Sequence, residues 1–213
     1  MTWTLIAALV GLASSGIFSS LFGWDRTLFV AAHVTLVAGL TAACFFWHHI
    51  SLRVQFGRRW RSGTVVGLLI AIPLVRNVLS QPASSRPVGA TLVWDLGWLG
   101  LVYGVADAIL LSIIPVLMLY GTRSGETLSR PGRRLGWGLA ALAGSLLVTA
   151  AYHAGFAEFR GPQLMAPLIG NAIITAGYLL TGSPVTPVVS HVLMHGAAVL
   201  HGLTTTIQLP PHY

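Results

Sequence analysis

Four side chains have the types and the setting to do chemistry in an otherwise apolar chain: Asp107, His153, His191 and His195. The last two lie in Ser190-His191-Val192-Leu193-Met194-His195-Gly196. At about 3.6 residues per turn they stack one turn apart on one helix face, with His201 roughly three turns further along. Asp107 sits in Tyr103-Gly104-Val105-Ala106-Asp107-Ala108 with no charge close in sequence, and His153 ends the run Leu147-Val148-Thr149-Ala150-Ala151-Tyr152-His153. Polar groups in hydrocarbon cost free energy unless they are partnered, so each of these needs an explanation. A carboxylate with three imidazoles can hold a divalent, zinc-like metal, with Asp107, His153, His191 and His195 as ligands. The same set can activate water without a metal, Asp107 acting as the base. A plainer role for Asp107 is a protonated or hydrogen-bonded packing residue between helices.

The other polar side chains read more simply. Asn171 is expected to make an interhelical hydrogen bond. Glu158 and Arg160 read as an ion pair at the interface. His48 and His49 follow Phe45-Phe46-Trp47 and suit an interfacial belt, while His33, deeper in its run, reads as hydrogen-bonding a neighbour. His212 lies in the tail and carries no inference.

What must position these residues is a set of membrane helices. Of the 213 residues 54% are hydrophobic and only 8% charged, against about a quarter charged in soluble domains. The apolar residues come in long blocks rather than stripes, and no strand-like alternation points to a barrel. The expected fold is therefore all-α: a polytopic helical membrane protein of about seven transmembrane helices in one domain over residues 1–213. Spans are expected over 3–22, 28–50, 64–79, 135–156, 164–180 and 186–203. The third is short and holds Pro73, which predicts a kink or a slant. The block over 90–121 is too long for one upright helix, since about 20 residues cross a bilayer. Gly97, Gly100 and Gly104 predict a partial or interfacial helix over 92–103, then a spanning helix ending near Tyr120. The Pro- and Ser-rich stretch 80–89 reads as a loop, and Thr181-Gly182-Ser183-Pro184 as a tight turn. The N-terminal run has no basic segment before it and no Ala-x-Ala site, which predicts a helix rather than a cleaved signal peptide.

All twelve basic residues are Arg. Without a Lys the chain cannot form the Schiff base of a retinal protein. Arg53, Arg58, Arg59 and Arg61 fall in one loop and Arg123, Arg130, Arg133 and Arg134 in another, two crossings apart. Both can be cytoplasmic, which puts the N-terminus inside and the C-terminus outside. The net charge of +7 then reads as topology charge, not as a nucleic-acid footprint. Cys44 is alone, in an apolar run, and reads as a core residue. The composition, rich in Ala, Gly and Arg, suits a prokaryotic plasma-membrane protein.

The second half of the chain resembles the CPBP family, the CAAX-type prenyl endopeptidases and bacteriocin-processing or Abi proteins. Leu146-Leu147-Val148-Thr149-Ala150-Ala151-Tyr152-His153 is similar to its second motif, with Thr149 at the place of the usual Phe. Gly177-Tyr178-Leu179-Leu180-Thr181-Gly182-Ser183-Pro184-Val185-Thr186-Pro187-Val188-Val189-Ser190-His191 resembles its last motif, and His195 stands where the family has Asn or a similar residue. The first motif, Glu-Glu with a following Arg, is represented by Asp107, Ala108 and Ser112, so the second Glu and the Arg are replaced. The resemblance covers residues 104–203 as a CPBP-like core, with 1–89 as added N-terminal helices. It implies an intramembrane peptidase in which Asp107 is the base, His153 orients water, and His191 with His195 polarises the scissile carbonyl.

Three function classes follow. The first is a CPBP-like peptidase or hydrolase acting on a membrane-embedded peptide, with water activated by Asp107 or by a metal. The second is a non-catalytic scaffold, or an accessory or immunity subunit bound to another membrane protein, suggested by the altered first motif. The third is a protein that ligates haem or a chlorophyll-type pigment through its histidines.

Overall fold

Long apolar runs surrounded by lipid must pair their backbone N–H and C=O groups internally, and the helix does so within one segment. The computed structural model describes residues 1–57, 59–121 and 130–210, and among these every regular element is helical. Arg58, Arg123 and His212 lie outside the described residues. The elements are α1 (Thr2–Leu21), α2 (Arg26–Trp47), the short α3 (Leu52–Gly57), α4 (Trp60–Leu79), α5 (Gly89–Gly121), α6 (Pro131–Gly155), α7 (Pro162–Thr181) and α8 (Val185–His201). Six of them are long and apolar enough to cross a membrane; α8 is apolar but shorter, at 17 residues.

Local chemistry sets several of the boundaries. Asp25 caps α2, its carboxylate accepting from the N–H groups of Thr27 at 2.9 Å and Leu28 at 3.2 Å. Helix α7 stops at Thr181 because Gly182 takes φ +65°, a left-handed conformation that glycine adopts without strain, and its N–H closes on the Tyr178 carbonyl at 2.7 Å. Thr181 then bonds Thr186 across the turn at 2.9 Å, aiming the start of α8.

One expectation about span length and one about helix continuity are corrected. Helix α4 begins at Trp60 and runs through Pro73 to Leu79 without interruption, so the third span is of full length. The block after the loop is one unbroken helix, Gly89 to Gly121, rather than a partial helix followed by a spanning one. Two of its glycines, Gly100 and Gly104, are contact points, whereas Gly97 has open space beside it. A Cβ on Gly100 would lie 3.3 Å from the Cα of Gly196, and one on Gly104 would lie 3.0 Å from the Cα of Val192. Small residues here let the backbones of α5 and α8 meet directly.

Helix α5 is the centre of the bundle. Its apolar window is 78% buried, against 28–39% for the other five long helices. It contains π-helical stretches at Leu96–Val102, Ala108–Ile113 and Leu117–Gly121, so Asp107 ends an α-helical turn between two of them. Such widened turns shift the register of the side chains that follow. Helix α8 is fastened to α4 on its other side, the Thr186 hydroxyl donating to the Gly63 carbonyl at 3.2 Å and the Ser190 hydroxyl to that of Gly67 at 3.1 Å. Cys44 is buried in the core, its sulfur 3.2 Å from that of Met118.

Candidate functional site

The direct crossing of α5 and α8 places Asp107 beside the histidine pair. Asp107, His191 and His195 are all buried, and each offers a ligand atom within 4.8 Å of the others. The Asp107 Oδ2 atom is 3.3 Å from His195 Nε2. The imidazoles of His191 and His195 are stacked, with centroids 5.9 Å apart and planes at 22°, as their one-turn spacing on α8 requires. Among the described residues, neither ring nitrogen of His191 has a hydrogen-bond partner, nor does Nδ1 of His195. Buried polar atoms are almost always satisfied, so this orphaned set marks a place for a ligand or water.

The cluster opens on a cavity of about 90 Å³, room for a few water molecules. Its polar wall includes Asp107, His153, Asn171, His191 and His195, and its apolar wall includes Leu111 and Met194. His153 therefore faces the same space but stands outside the close group of three. Its Nδ1 is 2.9 Å from the Thr149 carbonyl, which can only accept. The ring proton is thus on Nδ1, and a neutral His153 keeps its lone pair on Nε2.

Asn171 holds the wall together. Its amide nitrogen donates to the hydroxyls of Thr149 at 2.6 Å and Ser145 at 2.9 Å, and its oxygen accepts from Ser112 at 2.9 Å. Three helices, α5, α6 and α7, are joined through this one side chain. Ser112 and Ala108 are fully buried packing residues, Ser112 also reaching the Thr175 hydroxyl at 2.9 Å.

A second imidazole approaches Asp107 from a residue that the sequence marks only as bonding a neighbour. His33, on α2, is completely buried, and its Nε2 is 3.3 Å from Asp107 Oδ1. Behind it, Nδ1 meets the Ser14 hydroxyl at 3.2 Å. Tyr103 and Tyr152 complete the surroundings, their hydroxyls 2.7 Å apart and both rings within 6 Å of the imidazole of His33, at 5.8 and 5.0 Å. A signal was present in the sequence: Phe29, His33, Val37, Leu40 and Cys44 lie at helical spacing, and all are buried.

The remaining histidines are peripheral. His48 is exposed at the end of α2 with its ring edge-on to Trp3 at 6.2 Å, and His201 donates from Nε2 to the Gln81 carbonyl at 2.8 Å. Arg160 bonds the Ala154 carbonyl through Nε at 3.5 Å.

No protein-family model matches the chain, and no match was found to a curated protein or to a solved structure.

Proposed function

We propose that the protein is an intramembrane hydrolase of the peptidase type, resembling the CPBP proteins, with seven crossings, a cytoplasmic N-terminus and its water-activating centre at Asp107, His191 and His195. The observation that carries this reading is the convergence of those three ligand atoms, all buried, within 4.8 Å on a water-sized cavity. Two imidazoles and a carboxylate are a donor set for a catalytic zinc-like ion, with one position left for water. Metal–ligand bonds of about 2.0–2.1 Å give a tetrahedron edges of about 3.3–3.4 Å. The separation of His195 Nε2 from Asp107 Oδ2 is 3.3 Å, and one of the two orphaned nitrogens of His191 would gain a partner in such an ion. Such an ion, when bound, acidifies a water and polarises a carbonyl.

The chain's own groups do the rest. His153 Nε2 is an acceptor for a proton released at the cavity, and Thr149, held by Asn171, fixes that ring through its carbonyl. The apolar wall limits water to the amount the cavity holds.

The reading is tested with the purified protein. Asp107→Ala and His191→Ala each abolish cleavage of a membrane-embedded peptide while helicity and melting are kept, and one equivalent of divalent metal is lost in His191→Ala/His195→Ala. Cleavage retained by either single variant overturns the assignment. A second reading, a non-catalytic scaffold for another membrane protein, is favoured by the packing roles of Ala108 and Ser112. It predicts stable co-purification with a partner and no cleavage of any peptide. An absorbance spectrum without haem or pigment bands separates both from a pigment binder.

A further inference from the structure

We propose that Ser14 and His33 form a positioning relay that orients the Asp107 carboxylate, holding Oδ1 so that Oδ2 faces His191 and His195; this rests on the metal reading of that site and extends it to α1 and α2. The two carboxylate oxygens have separate neighbours, His33 Nε2 for Oδ1 and His195 Nε2 for Oδ2, each at 3.3 Å. A freely rotating carboxylate presents either oxygen to a ligand; one held at Oδ1 presents only the other.

The proton inventory supports this direction. The single hydroxyl proton of Ser14 has two acceptors in reach, the Gly11 carbonyl at 2.9 Å and His33 Nδ1 at 3.2 Å. The Gly11 carbonyl also accepts from the Ser15 hydroxyl at 2.9 Å. Placing the Ser14 proton on Nδ1 therefore strands no acceptor. It puts the ring proton of a neutral His33 on Nε2, the atom 3.3 Å from Oδ1 in a close contact that is not aligned as a hydrogen bond, whereas the opposite tautomer would set a lone pair beside the carboxylate.

His33 has no freedom to do otherwise. Phe29 stacks on it at 5.8 Å with planes at 14°, and Tyr152 and Tyr103 close two further sides. The ring is absent from the cavity wall, so it touches neither water nor peptide there and acts through Asp107 alone. Groups behind a metal ligand that fix its orientation change metal affinity about 10–100-fold when removed.

The experiment uses the full chain in detergent, titrated with Zn²⁺ against a chromophoric chelator and with Co²⁺ for its visible spectrum. His33→Ala weakens Zn²⁺ about 10–100-fold and alters the Co²⁺ bands. His33→Gln, whose amide N–H still reaches toward Oδ1, recovers part of the affinity. Ser14→Ala, which removes one oxygen and spares the fold, weakens binding less, and adds nothing in the His33→Ala background because it acts through His33. A second readout needs no metal: the carboxyl infrared bands, assigned by difference from Asp107→Asn, shift in His33→Ala. Unchanged affinity and unchanged bands in His33→Ala overturn the proposal, as do additive effects of the two substitutions. If the unaltered protein takes up no metal, the metal reading fails by itself, and the infrared bands alone decide the relay.

Discussion

A Cβ on Gly104 would lie 3.0 Å from the Cα of Val192, 3.1 Å from its nitrogen and 3.3 Å from the carbonyl carbon of His191. Backbone meets backbone at this point, one turn from Asp107 along α5 and adjacent to His191 on α8. The distance between the carboxylate and the histidine pair is thus set by the absence of a side chain at one residue.

Gly104→Ala is expected to destabilise the protein and to loosen the site together. Replacing a helical glycine by alanine gains about 0.5–1 kcal/mol in helix preference. Overpacking against atoms that cannot rotate away costs about 1–3 kcal/mol, so the steric effect wins. Denaturant titration in mixed micelles should show a net loss, and metal uptake should weaken in parallel. Gly104→Leu should do both more severely; a variant as stable and as competent as the parent would refute the direct-contact account.

His153 and His191 should separate cleanly in their effects. His191 belongs to the close ligand group, whereas His153 lines the same cavity outside it. His191→Ala is expected to lose the metal and the activity together. His153→Ala should keep stoichiometric metal and lose turnover, by about 10²–10⁴-fold if it transfers a proton. Elemental analysis beside a cleavage assay reads both, and metal lost in His153→Ala would place that ring among the ligands.

The helices are legible in the sequence because their signal is local: block hydrophobicity and the Thr181-Gly182-Ser183-Pro184 turn each act within a few residues. Asn171 was legible as well, since an amide inside a span has few roles other than bonding another helix, and it bonds Ser145 and Thr149 on α6 and Ser112 on α5. Asp107, His191 and His195 could be named because their polarity stands out against their surroundings. What could not be read was relational. Gly100 and Gly104 look like weak points in one helix and become contact points only when a second helix is present. His33 seemed a minor polar residue because its partners, Ser14 and Asp107, come from distant parts of the chain. The family resemblance covers residues 104–203 alone, and neither α1 nor α2 belongs to that stretch.

Asn171→Ala is expected to cost about 1–3 kcal/mol, the range for leaving buried groups unpartnered. Interhelical hydrogen bonds in membrane proteins average about 0.6 kcal/mol, which would argue for less. Asn171 lies toward the upper range because both ends of its amide are engaged, the nitrogen donating also to the Leu111 carbonyl at 3.3 Å. Asn171→Asp should be at least as damaging, since a carboxylate cannot donate to the Thr149 and Ser145 oxygens. Unfolding titrations of both variants, with the Thr149→Ala/Asn171→Ala pair as a cycle, would measure the coupling. A cost near zero for Asn171→Ala would mean that the hydroxyls re-pair without it.

The segment after α8 is held across the cavity by one side chain in particular. Gln81 donates from Nε2 to Gln208 Oε1 at 2.9 Å and accepts the Ile207 N–H on its own Oε1 at 3.0 Å. Leu209, nearly fully buried at 3% exposure, lines the cavity beside Ile207, and Arg26 Nε reaches the Pro210 carbonyl at 2.7 Å. Gln81→Ala removes two of these bonds, each worth about 0.5–1.5 kcal/mol. The segment opens locally rather than with the whole fold, so amide hydrogen exchange over residues 203–209 should accelerate on the order of tenfold while the melting temperature stays unchanged. His201, whose bond runs to the Gln81 backbone carbonyl at 2.8 Å, keeps its partner in this variant and confines the effect to the residues beyond it. Exchange no faster than in the parent would show that Leu209 burial and the Arg26 contact suffice to hold the segment in place.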